Sequence, residues 1–557
     1  MKISKPLRNV ILFELFFPIT LLTLGIYHGL MQTIYRSGLV HSAAEAHLDY
    51  YQGLTLHGVI NAIVLTTFFA VAFGHAIMAY YLKKEPDIRF ARISLIFMVV
   101  GTLMAAYAML SGKASVLYTF YPPLRADPTF YLGAVFLIVG SWIAFWGWII
   151  LYRTWRREHK TDKIPMAVLG NIANFTVWQI CTLSVAVEVL VFILPWSMGW
   201  TNTINVALCR TLFWFFGHAL VYFWLLPSYI MFYTFLPKLA GGKLYSGNAG
   251  RFSFMLFIIL SIPVGVHHQF GEPGITSGTK LFQTILTFGI TLPSFITAFT
   301  MAATLEYAGR KRGSKGLFGW MAKLPYLDTK NYMFGYLICG LILFIFGGLT
   351  GMVNASYSLN SMVHNTSWVP GHFHMTVAGP VYLAIIGMTL YLTSKLSGKP
   401  VRFPNLNIMV PYLWCIGILI FSYGLMSGGL LGEPRRTNLG LTYLNPASPQ
   451  YRPDWIPSTA FALIGGIIMT LSALCYFITF FGTVFSKRKE EPILEFPDSE
   501  LLHNEPTIGI LNRFAPWVIM MIIVLLLAYI PAIMNISQYI GPGAQPFSPN
   551  NPVPMTF

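Results

Sequence analysis

The chain is dominated by long apolar stretches of about 20 residues, which is the length that an α-helix needs to cross a bilayer. Thirteen such stretches can be read along it, and the segments between them are too short to fold as separate domains. We therefore predict an all-α integral membrane protein whose residues 1–557 form one bundle of about thirteen transmembrane helices. The predicted spans are 11–30, 55–82, 92–112, 131–152, 169–194, 206–236, 251–270, 279–307, 332–354, 366–395, 406–430, 457–486 and 514–537.

The charge content agrees with a membrane protein. Only 10% of the residues are charged, whereas a soluble protein carries roughly 25%. Soluble enzymes, nucleic-acid-binding modules and disordered scaffolds are excluded on this ground. The five cysteines are scattered in apolar stretches without a CxxC or CxxCH motif, so neither a disulfide framework nor a zinc site is indicated.

The basic residues predict the orientation of the bundle. Most of the 36 lysines and arginines fall in segments on the same side as the N-terminus. Because such residues collect in cytoplasmic loops, we expect a cytoplasmic N-terminus and an external C-terminus. The net charge of +16 then reflects topology rather than a nucleic-acid partner. No amphipathic transit segment precedes the first span, which favours the prokaryotic plasma membrane.

Six of the thirteen histidines lie at one depth, near the predicted outer ends of four spans. A single histidine in a helix is more often a hydrogen-bonded structural residue than a ligand. Ionisable side chains inside a bilayer are nevertheless costly, and six at one level from four helices are typical of metal ligands. They are His57, His218, His267, His268, His372 and His374.

The spacing of these histidines separates them into centres. His372 and His374 are two residues apart, so they point about 200° apart on a helix and face different centres. His57 and His374 could bind one iron from both sides, as in an electron-carrying haem, while His372 binds a second iron with an open position for a gas. The other three histidines form a three-imidazole site that suits copper, zinc or iron.

Four motifs resemble subunit I of the haem-copper oxygen reductases. They are LTLHGVINA (54–62), GHALVYFWLLP (217–227), PVGVHHQF (263–270) and WVPGHFHMTVAG (368–379), and the resemblance extends over spans 2 to 12. The sequence is most similar to the B-type branch, because Leu220 stands where A-type members have a glutamate. The entry of the A-type D-channel is also not recognisable, and thirteen spans fit the same branch.

The resemblance implies a complete cofactor set. His57 and His374 would bind a low-spin b-type haem, and His372 a high-spin a-type (or o-type) haem. One copper ion would be held by His218, His267 and His268. Tyr222 would be a catalytic residue joined covalently to His218. The implied reaction is the reduction of O2 to water by a cytochrome c oxidase, with proton uptake from the cytoplasm and proton translocation.

The resemblance also implies a proton path and haem-propionate partners. Hydroxyl residues match the K-channel analogue of B-type enzymes: Tyr222, Tyr229, Tyr233, Ser246, Ser294, Thr297 and Thr300. Arg435, Arg436 and His364 match residues near the haem propionates. Asn360 stands where B-type relatives carry an aspartate, so a carboxylate role is not assumed there. Glu188 and His75 lie inside spans, and we assign no role to either.

The residues also distinguish this function from its alternatives. A nitric oxide reductase shares the six histidines but lacks the tyrosine, so Tyr222 argues against it. A secondary transporter predicts inverted repeats, and an electron-transfer cytochrome does not need the adjacent pair His267 and His268. No cysteine-rich copper site occurs here, so a dinuclear copper site would lie on a subunit II. A small single-span subunit, and either cytochrome c or quinol as electron donor, complete the expected partners.

Overall fold

The computed structural model describes residues 1–40, 49–506 and 508–538, and it is helical with no β-sheet in these parts. Twelve helices in the described residues are long and apolar enough to span a membrane, with one shorter apolar helix among them. In chain order the thirteen are α1 (Lys5–Arg36), α2 (Tyr50–Leu82), α3 (Ile88–Leu110), α4 (Pro128–Glu158), α5 (Met166–Ser197), α6 (Val206–Thr234), α7 (Gly247–Leu260), α8 (Ser277–Lys311), α9 (Met333–Ala355), α10 (Trp368–Ser397), α11 (Pro404–Leu430), α12 (Pro453–Val484) and α13 (Ala515–Ser537).

The sequence-based spans coincide with these helices except at the seventh. The prediction of one span over 251–270 was wrong, because α7 has 14 residues and ends at Leu260. Pro263 lacks a backbone N–H and disfavours helical backbone in the residue before it. The chain continues as a 3₁₀ turn, Gly265–Gln269. The predicted external C-terminus lies outside the described residues.

The two helices that carry three of the six histidines are the most enclosed in the bundle. In the apolar windows of α2 and α10, 89% and 78% of the residues are buried, against 22% in α13. Both helices contain a π-helical segment, Val59–Val64 in α2 and His374–Val381 in α10. Such segments occur often at functional sites because they rotate the side chains of one turn. The segment in α10 begins at His374, and the segment in α2 begins two residues after His57.

Small residues allow the outer helices to pack closely. A side chain at Gly101 of α3 would place its Cβ 2.5 Å from the carbonyl oxygen of Gly133 on α4. Glycine contacts of this kind let helix backbones approach in a bilayer, where van der Waals packing drives association. α3 and α4 are therefore fixed side by side at the edge of the bundle.

The segment that follows α12 lies against the face of the bundle that carries the N-terminus. The amino group of Met1 donates to the carbonyl of Leu494 at 2.9 Å, and Lys2 pairs with Glu491 at 2.8 Å. Farther along, Leu502 donates its N–H to the carbonyl of Leu244 at 2.8 Å. These contacts hold the segment against the N-terminal residues at Leu494 and against the residues before α7 at Leu502.

Candidate metal centre

Two cavities open side by side within the bundle, and the histidines are divided between them. The first is lined by His218, His267, His268 and His372 together with Tyr222. The second is lined by His57 and His374. Phe373 lines both cavities, so its neighbours His372 and His374 face different sites, as their spacing predicts.

The three-imidazole cluster is formed by α6 and the 3₁₀ turn after α7. Ligand atoms of His218, His267 and His268 all lie within 4.8 Å of one another. Nδ1 of His218 is 3.1 Å from Nε2 of His268, and the His268 ring stacks on Trp214 with centroids 3.9 Å apart. Three neutral imidazoles converging on one point fit a copper, zinc or iron ion.

A threonine on α8 orients one of these rings. The Thr287 hydroxyl donates to the carbonyl of Gln283 at 2.6 Å, so it accepts from Nδ1 of His267 at 3.2 Å. This leaves Nε2 of His267 as the ligand atom, in the arrangement by which outer hydrogen bonds fix a ligating imidazole.

His218 has an unused nitrogen on the other side of its ring. Its Nε2 is buried and forms no hydrogen bond within the described residues. The Tyr222 ring, one turn along α6, has its centroid 5.1 Å from that of His218. A buried polar atom without a partner is costly, so this nitrogen points to a further contact or bond at the site.

His372 is oriented in the same way as His267. The Thr350 hydroxyl donates to the carbonyl of Gly347 at 2.9 Å and therefore accepts from Nδ1 of His372, also at 2.9 Å. A Cβ on Gly351 would lie 3.1 Å from Cε1 of His372, so a glycine there leaves room for the ring. Nε2 of His372 remains available to a metal in the first cavity.

His57 and His374 face each other across the second cavity. Their rings are nearly parallel, 10° apart, with centroids separated by 6.3 Å. Nδ1 of His57 lies 2.9 Å from the carbonyl of Gly25, and Nδ1 of His374 lies 2.7 Å from that of Pro370. Each ring thus keeps Nε2 free, and an imidazole nitrogen binds a metal at about 2.0–2.1 Å. The separation fits one metal ion between the rings.

Two arginines in the loop after α11 bring positive charge to both cavities. Arg435 lines both and donates to Asn365 Oδ1 at 2.6 Å, while Arg436 lines the second and donates to the Tyr121 hydroxyl at 3.1 Å. Burial and the charge of Arg436 lower the pKa of Arg435 to about 10. Neither guanidinium pairs with a carboxylate in the described residues, so this loop fits anionic groups such as haem propionates.

The same cationic environment affects a neighbouring phenol and an imidazole. Burial alone would raise the pKa of Tyr121, but the nearby guanidiniums of Arg436, Arg435 and Arg210 lower it to about 8. His364 lines the first cavity, and burial followed by the charge of Arg435 lowers its pKa to about 4. A neutral His364 at this position can hydrogen-bond an anion without adding charge.

A buried ion pair, which sequence reasoning missed, holds the arginine loop. Arg36, at the end of α1, pairs with Glu433, whose side chain is 1% exposed. Arg36 also donates to the carbonyls of Thr437 at 3.0 Å and Pro434 at 3.2 Å. The pair joins residues almost 400 positions apart, so no local pattern could have indicated it.

Replacing Glu433 by alanine is expected to destabilise the protein. The change leaves the Arg36 guanidinium, 13% exposed, without its partner, and breaking a buried pair in this way costs about 3–5 kcal/mol. Thermal unfolding of the purified protein measures the effect. The exposed pair of Arg452 and Asp454 supplies the control, since Asp454→Ala should leave the unfolding temperature unchanged. Equal stability of the two variants would contradict the role given to Glu433.

The predicted hydroxyl residues form separate pairs of contacts, with gaps between them, from the first cavity towards the face of the bundle that carries the N-terminus. This series is called the hydroxyl line below. Tyr222 and Ser294 line the cavity, and the Tyr229 hydroxyl donates to Ser294 at 3.1 Å. Farther down, the Tyr233 hydroxyl lies 2.8 Å from Thr297 Oγ1 and 3.3 Å from Ser253 Oγ. Ser253 was missed by sequence reasoning. Thr300 and Ser246 line a separate cavity at the surface.

Three further polar residues, Asn360, Glu188 and His75, have no role assigned by the sequence. Asn360 lines the first cavity and donates to the carbonyl of Asn354 at 2.7 Å. The Glu188 carboxylate is buried without a hydrogen-bond partner within the described residues. Nδ1 of His75 accepts from Trp148 at 2.9 Å, and its other ring nitrogen is 3.7 Å from the buried carboxylate of Glu14. Sequence reasoning did not single out Glu14.

The fold and site define a multi-pass membrane protein with clustered imidazole centres in adjoining cavities. The chain belongs to the family described as cytochrome c and quinol oxidase polypeptide I, whose model matches residues 9–468. It is therefore an oxidase subunit, an oxidoreductase of the respiratory chain. Members of this subunit family carry haems and copper and associate with a subunit II.

Individual relatives agree with this assignment. Cytochrome c oxidase subunit 1 of Thermus thermophilus is 38% identical over 501 residues, covering 89% of this chain and 88% of the relative. A haem-copper oxidase subunit I+III of Aeropyrum pernix is 26% identical over 443 residues, covering 75% of this chain and 50% of that protein. A cryo-EM structure of a haem-copper terminal oxidase dimer matches with a TM-score of 0.96 and 47% identity, covering 99% of this chain and 97% of the other.

Proposed function

We propose that this chain is the catalytic subunit of a B-type terminal oxidase that reduces O2 to water. The reaction consumes four electrons and four protons for each O2 and yields two water molecules. One observation supports this proposal best. His372, Tyr222 and the three-imidazole cluster line one cavity, and the facing pair of His57 and His374 lines the adjoining cavity. This arrangement supplies an electron entry site directly beside a gas-binding site.

The ligand geometry supports a specific cofactor set. His57 and His374 would hold a low-spin b-type haem, and His372 a high-spin a-type (or o-type) haem. His218, His267 and His268 would hold one copper ion. When bound, these groups would supply single-electron transfer and the metal chemistry of O2 reduction. Arg435, Arg436 and His364 would bind the propionates and so fix both haems relative to the histidines.

Tyr222 is proposed as the residue that supplies a proton and an electron to O2 in the first cavity. The electron would be replaced by the electron donor of the oxidase, and the proton by the hydroxyl residues described below. Its ring lies beside His218, whose free Nε2 supports the proposed covalent bond between the two side chains. A phenol hydroxyl both donates and accepts hydrogen bonds, so Tyr222 can receive a new proton from the hydroxyl residues that follow it towards the cytoplasmic side. Apolar side chains, including Val221, Leu225 and Phe344, line part of the same cavity and limit the access of water there.

The hydroxyl line would carry protons from the cytoplasmic side. Each hydroxyl can accept one proton while passing on another, and the contacts of Tyr229 with Ser294 and of Tyr233 with Thr297 supply two such steps. The path would run through Ser246, Thr300, Thr297, Tyr233, Ser294 and Tyr229 to Tyr222. Proton translocation would be coupled to this uptake.

The proposed setting is the prokaryotic plasma membrane, with the N-terminus inside. A subunit II would carry a dinuclear copper site and receive electrons from cytochrome c. A small single-span subunit would complete the complex as a third chain. A quinol-fed oxidase is the second candidate, because the matching family includes quinol oxidases.

Metal and haem analysis of the purified oxidase tests the proposal. We expect two haems and one copper for each chain, CO binding to only one of the haems, and O2 consumption with a reduced donor. Two haems with non-haem iron and no copper would instead indicate a nitric oxide reductase. A preparation without haem would contradict the histidine assignments altogether.

A further inference from the structure

The loop between α8 and α9 carries large apolar side chains although it lies outside the spans. Residues 312–332 form this α8–α9 loop, which begins after Lys311, the last residue of α8. Four of its apolar residues are between 45% and 76% exposed: Leu317, Phe318, Met321 and Leu327. Exposed apolar side chains grouped in one short segment indicate a contact surface for a membrane or another molecule.

The opposite side of the loop is fixed to the bundle. Trp320 packs so closely on α8 that a Cβ on Gly309 would lie 2.6 Å from the Trp320 carbonyl oxygen. The Tyr412 hydroxyl of α11 donates to the carbonyl of Tyr326, and the Tyr326 ring contacts that of Phe334 on α9 with centroids 5.6 Å apart. The exposed apolar side chains therefore project from a backbone that is already positioned, which lowers the entropy cost of binding.

The loop lies on the face of the bundle that carries the N-terminus. Arg312 donates to the carbonyl of Ala240, and the Asn331 amide donates to that of Leu239 at 2.6 Å. Both carbonyls belong to the turn after α6, which is joined through Leu244 to the segment that follows α12. Because α8 and α9 enter the bilayer from the two ends of the loop, the loop stays at the membrane interface.

The charged residues of the loop are almost all basic. It contains Arg312, Lys315, Lys323 and Lys330 against one acid, Asp328. The three lysines are exposed, and none of them forms an ion pair within the described residues. Exposed lysines beside apolar side chains match the anionic headgroups of a phospholipid layer with the acyl chains beneath them.

A partner protein fits this surface less well. Lysine is depleted at protein–protein interfaces, whereas basic residues collect where a chain meets an anionic membrane surface. Trp320 and Tyr326 of the loop are partly exposed, and tryptophan and tyrosine are the residue types enriched at the boundary between membrane and water. Charge and composition together favour lipid.

We propose that the α8–α9 loop is a binding surface for anionic phospholipids. Phe318 and the other exposed apolar side chains enter the boundary between headgroups and acyl chains, to a depth of about 5–10 Å. Lys315 and Lys323, which flank these residues in the chain, bind the lipid phosphates. The surface is separate from the metal centres, so it does not depend on the proposed reaction.

Photochemical cross-linking tests this inference in the complete oxidase, reconstituted in vesicles of phosphatidylglycerol and phosphatidylethanolamine in equal amounts. The photoreactive analogue p-benzoylphenylalanine replaces Phe318, and mass spectrometry identifies what it captures on illumination. Each lysine near an anionic surface contributes a roughly fivefold preference, so phosphatidylglycerol should exceed phosphatidylethanolamine roughly tenfold at this position. The same analogue at Leu103, an exposed residue in the apolar part of α3, should capture both lipids equally.

Two lysine pairs separate a local site from the overall charge. Lys315→Gln combined with Lys323→Gln should lower the preference at position 318 to about twofold or less. Lys487→Gln combined with Lys489→Gln removes the same charge from exposed lysines after α12 and should leave the preference unchanged. All four lysines are exposed and lie outside the spans, so both variants should fold as the parent does.

Equal capture of the two lipids at position 318 would overturn the proposal, and so would a preference that survives the loss of Lys315 and Lys323. Capture of another protein chain would assign the loop to a subunit interface, and capture of nothing would leave its apolar side chains in water. Both results contradict a lipid surface. If inorganic phosphate in place of chloride at equal ionic strength abolished the preference, the lysines would bind free phosphate rather than a lipid headgroup, which would also overturn the proposal.

Discussion

The His218→Ala variant is expected to lose its copper and its O2 reduction while the spectrum of the low-spin haem survives. His218 is one of only three imidazoles in its cluster, whereas His57 and His374 lie in the other cavity. A bound metal contributes several kcal/mol to such a reaction, so turnover should fall roughly a thousandfold. Copper analysis, reduced spectra and O2 consumption of the purified variant measure the three effects.

His75→Gln is the control for this experiment. His75 is also a buried histidine of the bundle, but its contacts are Trp148 and Glu14, away from both cavities. The control should retain copper and both haem spectra. Loss of the low-spin spectrum in His218→Ala would show that the two sites are not independent, and retention of copper there would remove His218 from the ligand set.

Most of the fold could be predicted because a bilayer forces apolar segments to satisfy their backbone hydrogen bonds internally. Hydropathy therefore identified α1 to α6 and α8 to α13 directly. It failed at α7, where Ile262 and Val264 keep the segment apolar although Pro263 ends the helix. The π-helical segments were also not predicted, because one extra residue in a turn leaves the apolar composition unchanged.

The site was predictable to the extent that its residues stand out against an apolar background. Six histidines in apolar helices are such a signal, and their spacing assigned His372 and His374 to different cavities. Thr287 and Thr350 gave none, because hydroxyls in membrane helices usually bond their own backbone, and the rings they orient lie on other elements.

Tyr222→Phe is expected to abolish most O2 reduction while both haems and the copper remain bound. The substitution removes the phenol oxygen and with it the proposed bond to His218, while the Tyr222 ring position still packs against Phe257, whose centroid is 5.4 Å away. The cavity therefore keeps its shape and its four histidines. A positioned proton donor contributes roughly 10²–10⁴-fold to a rate, so turnover should fall by that factor. O2 consumption and metal content of the purified variant provide the measurement.

Tyr332→Phe is the matched control, because Tyr332 is buried, lines neither histidine cavity and has no hydrogen bond to its hydroxyl within the described residues. Its turnover should remain close to that of the parent. If Tyr222→Phe kept the parental rate, the phenol would not be the proton donor. If it lost copper, Tyr222 would instead support the metal site, since a positioned donor can be removed without disturbing the ligands. Only loss of turnover with an intact metal complement assigns the chemistry to the Tyr222 phenol and its bond to His218.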